Sequence, residues 1–304
     1  MVEVADKKPK PLSRKRRAIL VVLAVCLVAG GVWYFTAGRS RGPVKVDMAL
    51  DLGGGVALKL VLIPAGKFMM GSPAGEPGRG GEEGPRHEVT ITRPFYMGSY
   101  SVTQGQYERV MGSNPSYYKG VTNPVEMVSW DDAVEFCKKL SRKTGKKVRL
   151  PTEAEWEYAC RAGTTSAFNT GDTLNPGQAD CNFSVSSPNP GYLAKFMAWL
   201  RSFLPAGEQA KGGPKPVGSF GPNAWGLYDM HGNVWQWCAD RYGEDYYANS
   251  PASDPAGPET GAGRVQRGGG WNNLPANCRS AVRNRSAPDY RFNGRGFRVA
   301  VDSE

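Results

Sequence analysis

The most constraining feature of this 304-residue sequence is an uncharged, apolar run of 21 residues at positions 18–38. A helix of that length spans the roughly 30 Å of hydrocarbon in a bilayer. The run follows the basic residues 14–17, and it contains Trp33 and Tyr34 near its end, residue types typical of the membrane interface. The pattern predicts a single-pass membrane protein in which residues 1–17 form a cytoplasmic tail, residues 18–38 form the transmembrane helix, and the remainder is extracytoplasmic.

A cleaved secretory signal is the alternative for the same residues. The apolar run is long for such a signal, and the bulky Trp33, Tyr34 and Phe35 stand where a cleavage site needs small residues. In both interpretations, the rest of the chain is exported from the cytoplasm. Its thiols then meet an oxidising compartment, in which disulfides form and persist.

The positive charge is concentrated in the same N-terminal region. Of the formal net charge of +10, residues 1–41 carry +7 and residues 42–304 carry +3. A large body with so small a net charge has no bulk electrostatic attraction for phosphate. We therefore expect no nucleic acid among the partners.

The body of the chain is rich in turn-forming residues and holds most of the 39 Gly and 23 Pro. Such a composition favours irregular segments over a helical bundle. We assign residues 39–56 to a linker and residues 57–304 to one α+β domain, because no further linker interrupts that region. Within the domain, residues 72–86 have the Gly-, Glu- and Pro-rich composition of an exposed loop.

Two kinds of local pattern predict the regular elements of the domain. Alternation of apolar and polar residues predicts strands, and capping residues predict helices that begin after Thr103, Ser129 and Thr152. Thr152 and Glu155 have the T-x-x-E spacing of a capping box. The predicted helices cover residues 104–111, 130–142 and 153–162, and the predicted strands cover residues 57–63, 67–70, 87–91 and 94–102.

Several segments, spread in order over residues 57–300, carry a family resemblance. The most specific are RLPTEAEWEYACRAG at 149–163, PVGSFGPNAWGLYDMHGNVWQWCADRY at 216–242 and RVQRGGGW at 264–271. The sequence resembles the formylglycine-generating enzyme family, also called the sulfatase-modifying factor family. This resemblance implies a single loop-rich domain with a variant of the C-type-lectin fold. The other segments are LIPAGKFMMGS, PFYMGSYSVTQGQY, NPVEMVSWDDAVEFC, and RSAVR with GFRVA.

The resemblance also implies an enzymatic activity, but the sequence departs from the family in the loop that carries this activity. The family's namesake oxidises a cysteine of sulfatases to formylglycine, with oxygen and a copper ion held by two cysteines of one loop. Here the loop between Gly270 and Arg279 has Asn272 and Asn273 at the active-loop positions and one cysteine, Cys278. Asparagine does not replace thiolate as a ligand of copper(I). We therefore expect no copper, no catalytic residue and a ligand- or protein-binding module; an oxidase acting on sulfatase cysteine is the alternative.

The same resemblance implies structural uses for the cysteines. Cys160 lies at the position that, in the family, bridges to the segment just after the active loop, and Cys278 lies at that segment. We therefore predict a Cys160–Cys278 disulfide and, as a second pair, Cys137–Cys238, with Cys181 left over. The alternative is that some of these residues are buried free thiols.

A calcium site is implied by the family's Leu-Tyr-Asn/Asp-x-x-Gly-Asn-x-Trp-Glu loop. The matching positions here are Asp229, Gly232, Val234 and Gln236. Calcium prefers several hard oxygen ligands, including backbone carbonyls, and Gln236 keeps an oxygen but lacks the charge of the family's Glu. The alternative is that Asp229 merely stabilises a tight turn.

The loop after Gly270 is rich in asparagine, a residue suited to adaptable hydrogen bonds. In some members of the family, the C-terminal segment is a ligand-binding surface. We therefore predict that Trp271, Asn272, Asn273 and Asn277 bind the ligand, and that the partner is an extracytoplasmic protein or glycan.

Two residue types leave alternatives open at this point. Four tryptophans form either a stacking surface or part of a buried core, and family membership favours the core: Trp225, Trp235, Trp237 and Trp271. Four arginines either surround an acidic ligand or pair with carboxylates of the domain, and the pairing is the commoner arrangement: Arg279, Arg283, Arg285 and Arg295. His87 and His231 have no partner signature in the sequence and are assigned no role.

Overall fold

The structure is a computed structural model that describes residues 46–183 and 212–303. The predicted tail at residues 1–17 and the predicted membrane segment at residues 18–38 lie outside these ranges. Within the described ranges, no helix is long and apolar enough to cross a membrane.

The described residues form short elements joined by long irregular segments, as expected for a loop-rich α+β domain. The helices are α1 (Gln104–Met111), α2 (Trp130–Thr144) and α3 (Glu153–Arg161). Short 3-10 turns occur at Gly81–Glu83, Tyr246–Asn249 and Pro275–Cys278. The strands are β1 (Met48–Gly53), β2 (Val56–Ile63), β3 (Gly66–Met70), β4 (His87–Ile91), β5 (Phe95–Gly98), β6 (Val148–Arg149), β7 (Trp235–Arg241), β8 (Arg264–Arg267), β9 (Asn284–Ser286), β10 (Arg295–Gly296) and β11 (Ala300–Asp302).

The strands are arranged in three sheets. A five-stranded sheet has the order β1-β2-β5-β11-β6, a four-stranded sheet has the order β10-β7-β8-β9, and β3 pairs with β4. Every pairing is antiparallel except that of β10 with β7. Because β11 lies between β5 and β6, the C-terminal segment returns to the interior of the first sheet and is held there on both edges.

Both faces of the five-stranded sheet are buried. Leu58 and Leu60 of β2 join a cluster with the apolar faces of α1 and α2. Val61 and Ile63, which point to the opposite face, join a second cluster around α3. The buried alternative for the tryptophans is confirmed at Trp237, which is 0% exposed and belongs to the first cluster.

The helices begin where the capping residues predict. The Ser129 hydroxyl accepts from the Asp132 backbone N–H at 3.1 Å, and the Thr152 hydroxyl accepts from the Glu155 N–H at 3.1 Å. The Glu155 carboxylate in turn accepts from the Thr152 N–H at 2.8 Å, which completes the box. All nine residues of α3 are buried, so this helix is a central element on which other segments converge.

The linker predicted at residues 39–56 is corrected by the structure, because it contains β1. Leu50 and Leu52 alternate with more exposed residues and are 4% and 0% exposed. The glycines at positions 53–55 all have positive φ and allow the tight turn that returns the chain into β2. The folded domain therefore includes residues assigned to the linker from their composition.

The loop at residues 72–86 is anchored and is not simply exposed. Glu83 is 1% exposed, and its carboxylate accepts two hydrogen bonds from the Arg279 guanidinium, at 2.7 and 2.8 Å. Arg279 also donates to the Glu76 carboxylate at 2.5 Å. The composition predicted the loop but not its contact, since the partner lies near the other end of the chain.

Candidate functional site

The candidate site is the loop that leaves β8, and it begins with a strained glycine turn. Gly268 and Gly269 have φ values of +96° and +74°, in the left-handed region that favours glycine. A Cβ on Gly269 would lie 2.4 Å from the Cys278 sulfur. The turn thus packs directly against the end of the loop, and only glycine permits that contact.

Asn273 stabilises the loop from within. Its side-chain oxygen accepts from Trp235 Nε1 at 2.8 Å and from the Gly270 N–H at 3.1 Å. Its backbone carbonyl accepts from the Asn182 N–H at 2.7 Å. The amide oxygen is therefore used in holding the loop, and Asn273 is a structural residue in this geometry.

The other predicted ligand-binding residues lie at the surface of the same loop. Asn272 and Asn277 are exposed, and Leu274 between them is 37% exposed. Trp271 is half-buried, and its indole N–H donates to the Asn293 carbonyl at 3.2 Å. The structure thus brings all four predicted residues together but leaves only two of the asparagines available to a ligand.

Aromatic side chains from distant segments border this loop. Tyr117 is 70% exposed and packs edge-on against Tyr118, whose ring in turn lies 5.5 Å from Trp271. We call this surface the loop face, defined as residues 271–277 with Tyr117 and Tyr118.

Sequence reasoning missed the tyrosines of the loop face. Tyr117 and Tyr118 follow α1 in a polar loop, and nothing in their local pattern indicates that they reach Trp271. The backbone at Gly212 and Gly213 lies against the Trp271 and Tyr118 rings, since a Cβ at these positions would be 2.6 and 2.8 Å from ring carbons. In the sequence, the pair Gly212 and Gly213 is the one signal that the backbone approaches a large side chain here.

His231, to which the sequence assigned no role, holds the end of the loop. Its Nδ1 lies 2.7 Å from the Cys278 carbonyl, and its Nε2 lies 3.0 Å from the Asn169 N–H. Burial lowers the pKa of His231 to about 4, so the ring is neutral at physiological pH. A neutral ring that donates from Nδ1 and accepts at Nε2 satisfies both partners.

The predicted Cys160–Cys278 disulfide is not formed, because a different residue faces Cys160. Both cysteines are free thiols in the structure, and the Cys160 sulfur lies 3.7 Å from the Ser280 hydroxyl. Cys278 ends a 3-10 turn, and two residues later Ser280 takes the place predicted for it. Burial raises the pKa of Cys160 to about 12, which makes it an unreactive thiol.

The second predicted pair, Cys137–Cys238, is not formed either. Both residues are buried free thiols. Cys137 belongs to the cluster that contains α1 and α2, and Cys238 belongs to the cluster around α3, so different parts of the core surround them. The free-thiol alternative describes them in this structure.

Cys278 instead contacts Cys181, the cysteine that the sequence left over. The Cys278 thiol donates to the Leu274 carbonyl at 3.7 Å. The neighbouring Cys181 side chain, together with burial, raises the pKa of Cys278 well above its ordinary value. Cys278 is 0% exposed, whereas Cys181 is half-buried at the edge of the same small apolar cluster. Two soft donors from distant segments therefore lie side by side beneath the loop face.

The turn predicted to hold calcium has its side chains engaged elsewhere. Gln236 Oε1 accepts from Trp156 Nε1 at 2.8 Å and from Arg298 Nε at 2.6 Å, and its Nε2 donates to the Asp229 carbonyl at 3.0 Å. Because both partners of Oε1 are obligate donors, the orientation of the amide is fixed and both lone pairs of the oxygen are used. Gln236 therefore does not fit the role of a calcium ligand.

A buried cation already lies beside these oxygens. Arg298 is 0% exposed, and burial lowers the pKa of its guanidinium to about 10, so it is charged at neutral pH. Asp229 has φ of 54° and its carboxylate accepts from the Gly218 N–H at 2.7 Å, as a tight turn requires. The part of the chain that the structure describes holds no group of three or more His, Cys, Asp or Glu side chains suited to a metal. Calcium at this turn stays a prediction.

The arginines after the loop pair with carboxylates of the domain and do not surround a ligand. Arg283 makes two hydrogen bonds to the Glu153 carboxylate, at 2.7 and 2.9 Å, and both side chains are buried. Arg267 of β8 bonds the Glu157 carboxylate of α3 and the carbonyls of residues 280–282. These pairs fix the loop on α3 and leave the loop face as its exposed part.

Comparison with known proteins matches nearly the whole described domain. Residues 57–303 match the family model of the sulfatase-modifying factor enzyme 1-like domain. The chain is similar to the formylglycine-generating enzyme of Streptomyces coelicolor, with 32% identity over 306 residues that cover 80% of this chain and 89% of the relative.

Two solved structures have the same fold. PvdO from Pseudomonas aeruginosa superimposes with a TM-score of 0.69 at 32% identity, over 85% of this chain and 99% of that protein. The variable protein 1 of Treponema denticola superimposes with a TM-score of 0.66 at 27% identity, over 85% of this chain and all of that protein.

Proposed function

Since the chain belongs to the sulfatase-modifying factor family, we propose that its domain is a ligand-binding module displayed outside the membrane. The observation that carries this proposal is the loop face, where exposed amides of Asn272 and Asn277 lie next to aromatic rings. Rigid aromatic rings supply contact area at low entropic cost, and amides supply adaptable hydrogen bonds. This combination suits a glycan or a peptide segment of an extracytoplasmic protein.

The proposal includes the anchor predicted at residues 18–38, with the N-terminus in the cytoplasm. The basic residues before the apolar run support this orientation. Intact cells that express the full chain test it. Protease added outside these cells should digest the domain and leave a short membrane-bound N-terminal fragment. Release of the full domain without protease, with a new N-terminus near residue 38, would instead identify a cleaved signal.

The binding test changes the exposed asparagines and spares the structural one. Asn272→Ala combined with Asn277→Ala should weaken saturable binding to a glycan array or a displayed peptide library at least tenfold, with Tm unchanged. Asn249→Ala, at an exposed asparagine outside the loop face, is the matched control and should bind like the wild type. If the double variant keeps the binding of the wild type, the loop face is not the ligand site.

One observation favours a second candidate, a copper-dependent oxidase. The contact between Cys181 and Cys278 supplies two soft donors, the number that suffices for copper(I). Against it, a substrate cysteine would have to reach a metal between these thiols, and Cys278 is 0% exposed beneath Gly269. The thiol pair therefore fits the metal in donor type but not in access for a substrate, and the binding module is the better-supported function.

A further inference from the structure

Two cysteines that no motif connects meet beneath the loop face. Cys181 lies in the segment after α3, and Cys278 ends the 3-10 turn Pro275–Cys278. Cys278 belongs to one small buried cluster, and Cys181 packs against that same cluster. The rest of that cluster is apolar, made of Ala167, Phe168, Leu174, Ala179 and Phe183.

The backbone on both sides of Cys181 is fixed against the same region that holds Cys278. The Asp180 carbonyl accepts from the Asn233 N–H at 2.8 Å, and the Asn182 N–H donates to the Asn273 carbonyl at 2.7 Å. On the other side, Gly269 packs against the Cys278 sulfur, and His231 bonds the Cys278 carbonyl. Backbone hydrogen bonds around both cysteines therefore keep the two side chains in the same region without a bond between the sulfur atoms.

The surroundings of the pair favour a covalent bond over a metal. Among the described residues no third His, Cys, Asp or Glu completes a metal group here. The apolar neighbours and the nearby Asp180 carboxylate both disfavour the thiolate form of Cys278 that a bound cation would need. A disulfide is neutral and resembles an apolar side chain, so it fits this cluster without a cost in burying charge.

We propose that Cys181 and Cys278 form a disulfide that clasps the loop face to the segment after α3. A disulfide-containing oxidant R–S–S–R accepts the two electrons. The Cys181 thiolate, on the half-buried residue, attacks one sulfur of the oxidant and releases R–S⁻, which gives a mixed disulfide. The Cys278 thiol then loses its proton and attacks the Cys181 sulfur, releasing the second R–S⁻. Two protein thiols are oxidised to one disulfide, and the oxidant is reduced to two thiols.

The crosslink has a consequence that is independent of the proposed ligand-binding function. It joins residues far apart in the sequence and so restricts the unfolded chain strongly. It also removes both soft donors from any copper ion. A domain with this bond therefore has a fixed loop face and no thiol pair for oxidase chemistry.

The test uses the full chain, first reduced and then incubated with glutathione disulfide. Digestion without reductant and mass spectrometry should give the peptide of Cys181 joined to the peptide of Cys278, and Tm should rise by roughly 5–10 °C. In Cys181→Ser, both the joined peptide and the rise in Tm on oxidation should disappear. The reduced wild type and the reduced variant should have the same Tm. Cys137→Ala, which changes a buried thiol of another cluster, is the control and should keep the crosslink.

Two outcomes would overturn the proposal. One is a glutathione adduct on Cys181 that persists while Cys278 remains a free thiol. The other is a bridge from either cysteine to a different partner. Neither outcome bears on whether the loop face binds a ligand, because that question is read from the asparagine variants.

Discussion

The contact between Ser280 and Cys160 shows that one side chain determines whether a disulfide forms at this site. Their sulfur and oxygen atoms are 3.7 Å apart, and both residues are 0% exposed. The hydroxyl is a small hydrogen-bonding group at a position where a thiol would have a sulfur neighbour within reach. Because the cysteine stands two residues earlier, at 278, this site lacks the bond that the sequence led us to predict.

Replacing this hydroxyl by a thiol should create the missing bond. In Ser280→Cys, oxidation should join positions 160 and 280 and raise the free energy of unfolding by about 3 kcal/mol, through restriction of the unfolded chain. Mass mapping without reductant and urea unfolding measure the two effects. Ser280→Ala, oxidised in the same way, is the control: its Cys160 should stay a free thiol, and the gain in stability is measured relative to this variant. A variant whose two thiols both stay free after oxidation would show that the register is not the one described.

The low pKa of His231 predicts that the folded domain loses stability in mild acid. Its pKa is about 4 in the folded protein and about 6.5 in the unfolded chain, so the unfolded state binds the extra proton between these values. The contribution of neutral His231 to the free energy of unfolding is therefore fully present above about pH 7 and is lost as the pH drops toward 4. The loss from this one group should be about 2 kcal/mol between pH 7 and pH 5.

Urea unfolding at the two pH values measures this loss, and the two histidines provide a matched pair of variants. His231→Gln should show a smaller difference between pH 7 and pH 5 than the wild type does. His87→Gln, at the other histidine of the chain, should keep the difference. Equal losses in the wild type and in His231→Gln would mean that the ring does not titrate as described.

At the scale of elements, predictability follows the distance in sequence between interacting residues. The helices after Ser129 and Thr152 were predicted because a capping box is complete within four residues. The strand β1 was missed because its two buried leucines are followed by a glycine run that suggested a linker. The loop at residues 72–86 was predicted as exposed because its anchor, Arg279, carries no local mark of its partner.

The candidate site follows the same rule. The four residues predicted for ligand binding are neighbours in the sequence, and the structure does bring them together. Tyr118 and Cys181 were missed, since each reaches the site only through the fold. Asn273 differs for another reason: an asparagine looks the same in the sequence whether its amide faces a ligand or holds a turn.

The anchor of the loop at residues 72–86 gives a prediction at this scale. Arg279 and Glu83 are both buried, at 3% and 2% side-chain exposure, so Glu83→Gln removes one of the two carboxylates that pair with this guanidinium and leaves Glu76 as the other. We expect a loss of about 2 kcal/mol in the free energy of unfolding and faster proteolysis within residues 72–86. Glu244→Gln, which alters the exposed pair with Arg285, is the control and should change stability by less than about 0.5 kcal/mol. Similar effects of the two changes would contradict the anchoring role of the buried pair.

At the scale of the whole molecule, the chain keeps the family fold, and we propose that the loop corresponding to the family's reactive loop serves as a binding surface. Buried pairs between α3 and the arginines on either side of the loop, Arg267 and Arg283, keep the scaffold in place. The family's copper-binding cysteine pair is absent from the loop itself, and the thiol of Cys278 is covered. What remains at the surface is a set of amides and aromatic rings.

The most direct test of this claim is the conversion of a Cys-x-Pro-x-Arg peptide by the copper-treated full chain, read as a new aldehyde by mass spectrometry. An authentic formylglycine-generating enzyme assayed in parallel is the positive control. We expect the control enzyme to convert the peptide. This protein should leave the peptide's cysteine unchanged, both as the wild type and as Cys181→Ser. Aldehyde formation by the wild type, lost in Cys181→Ser, would contradict the account and identify the thiol pair as an oxidase site.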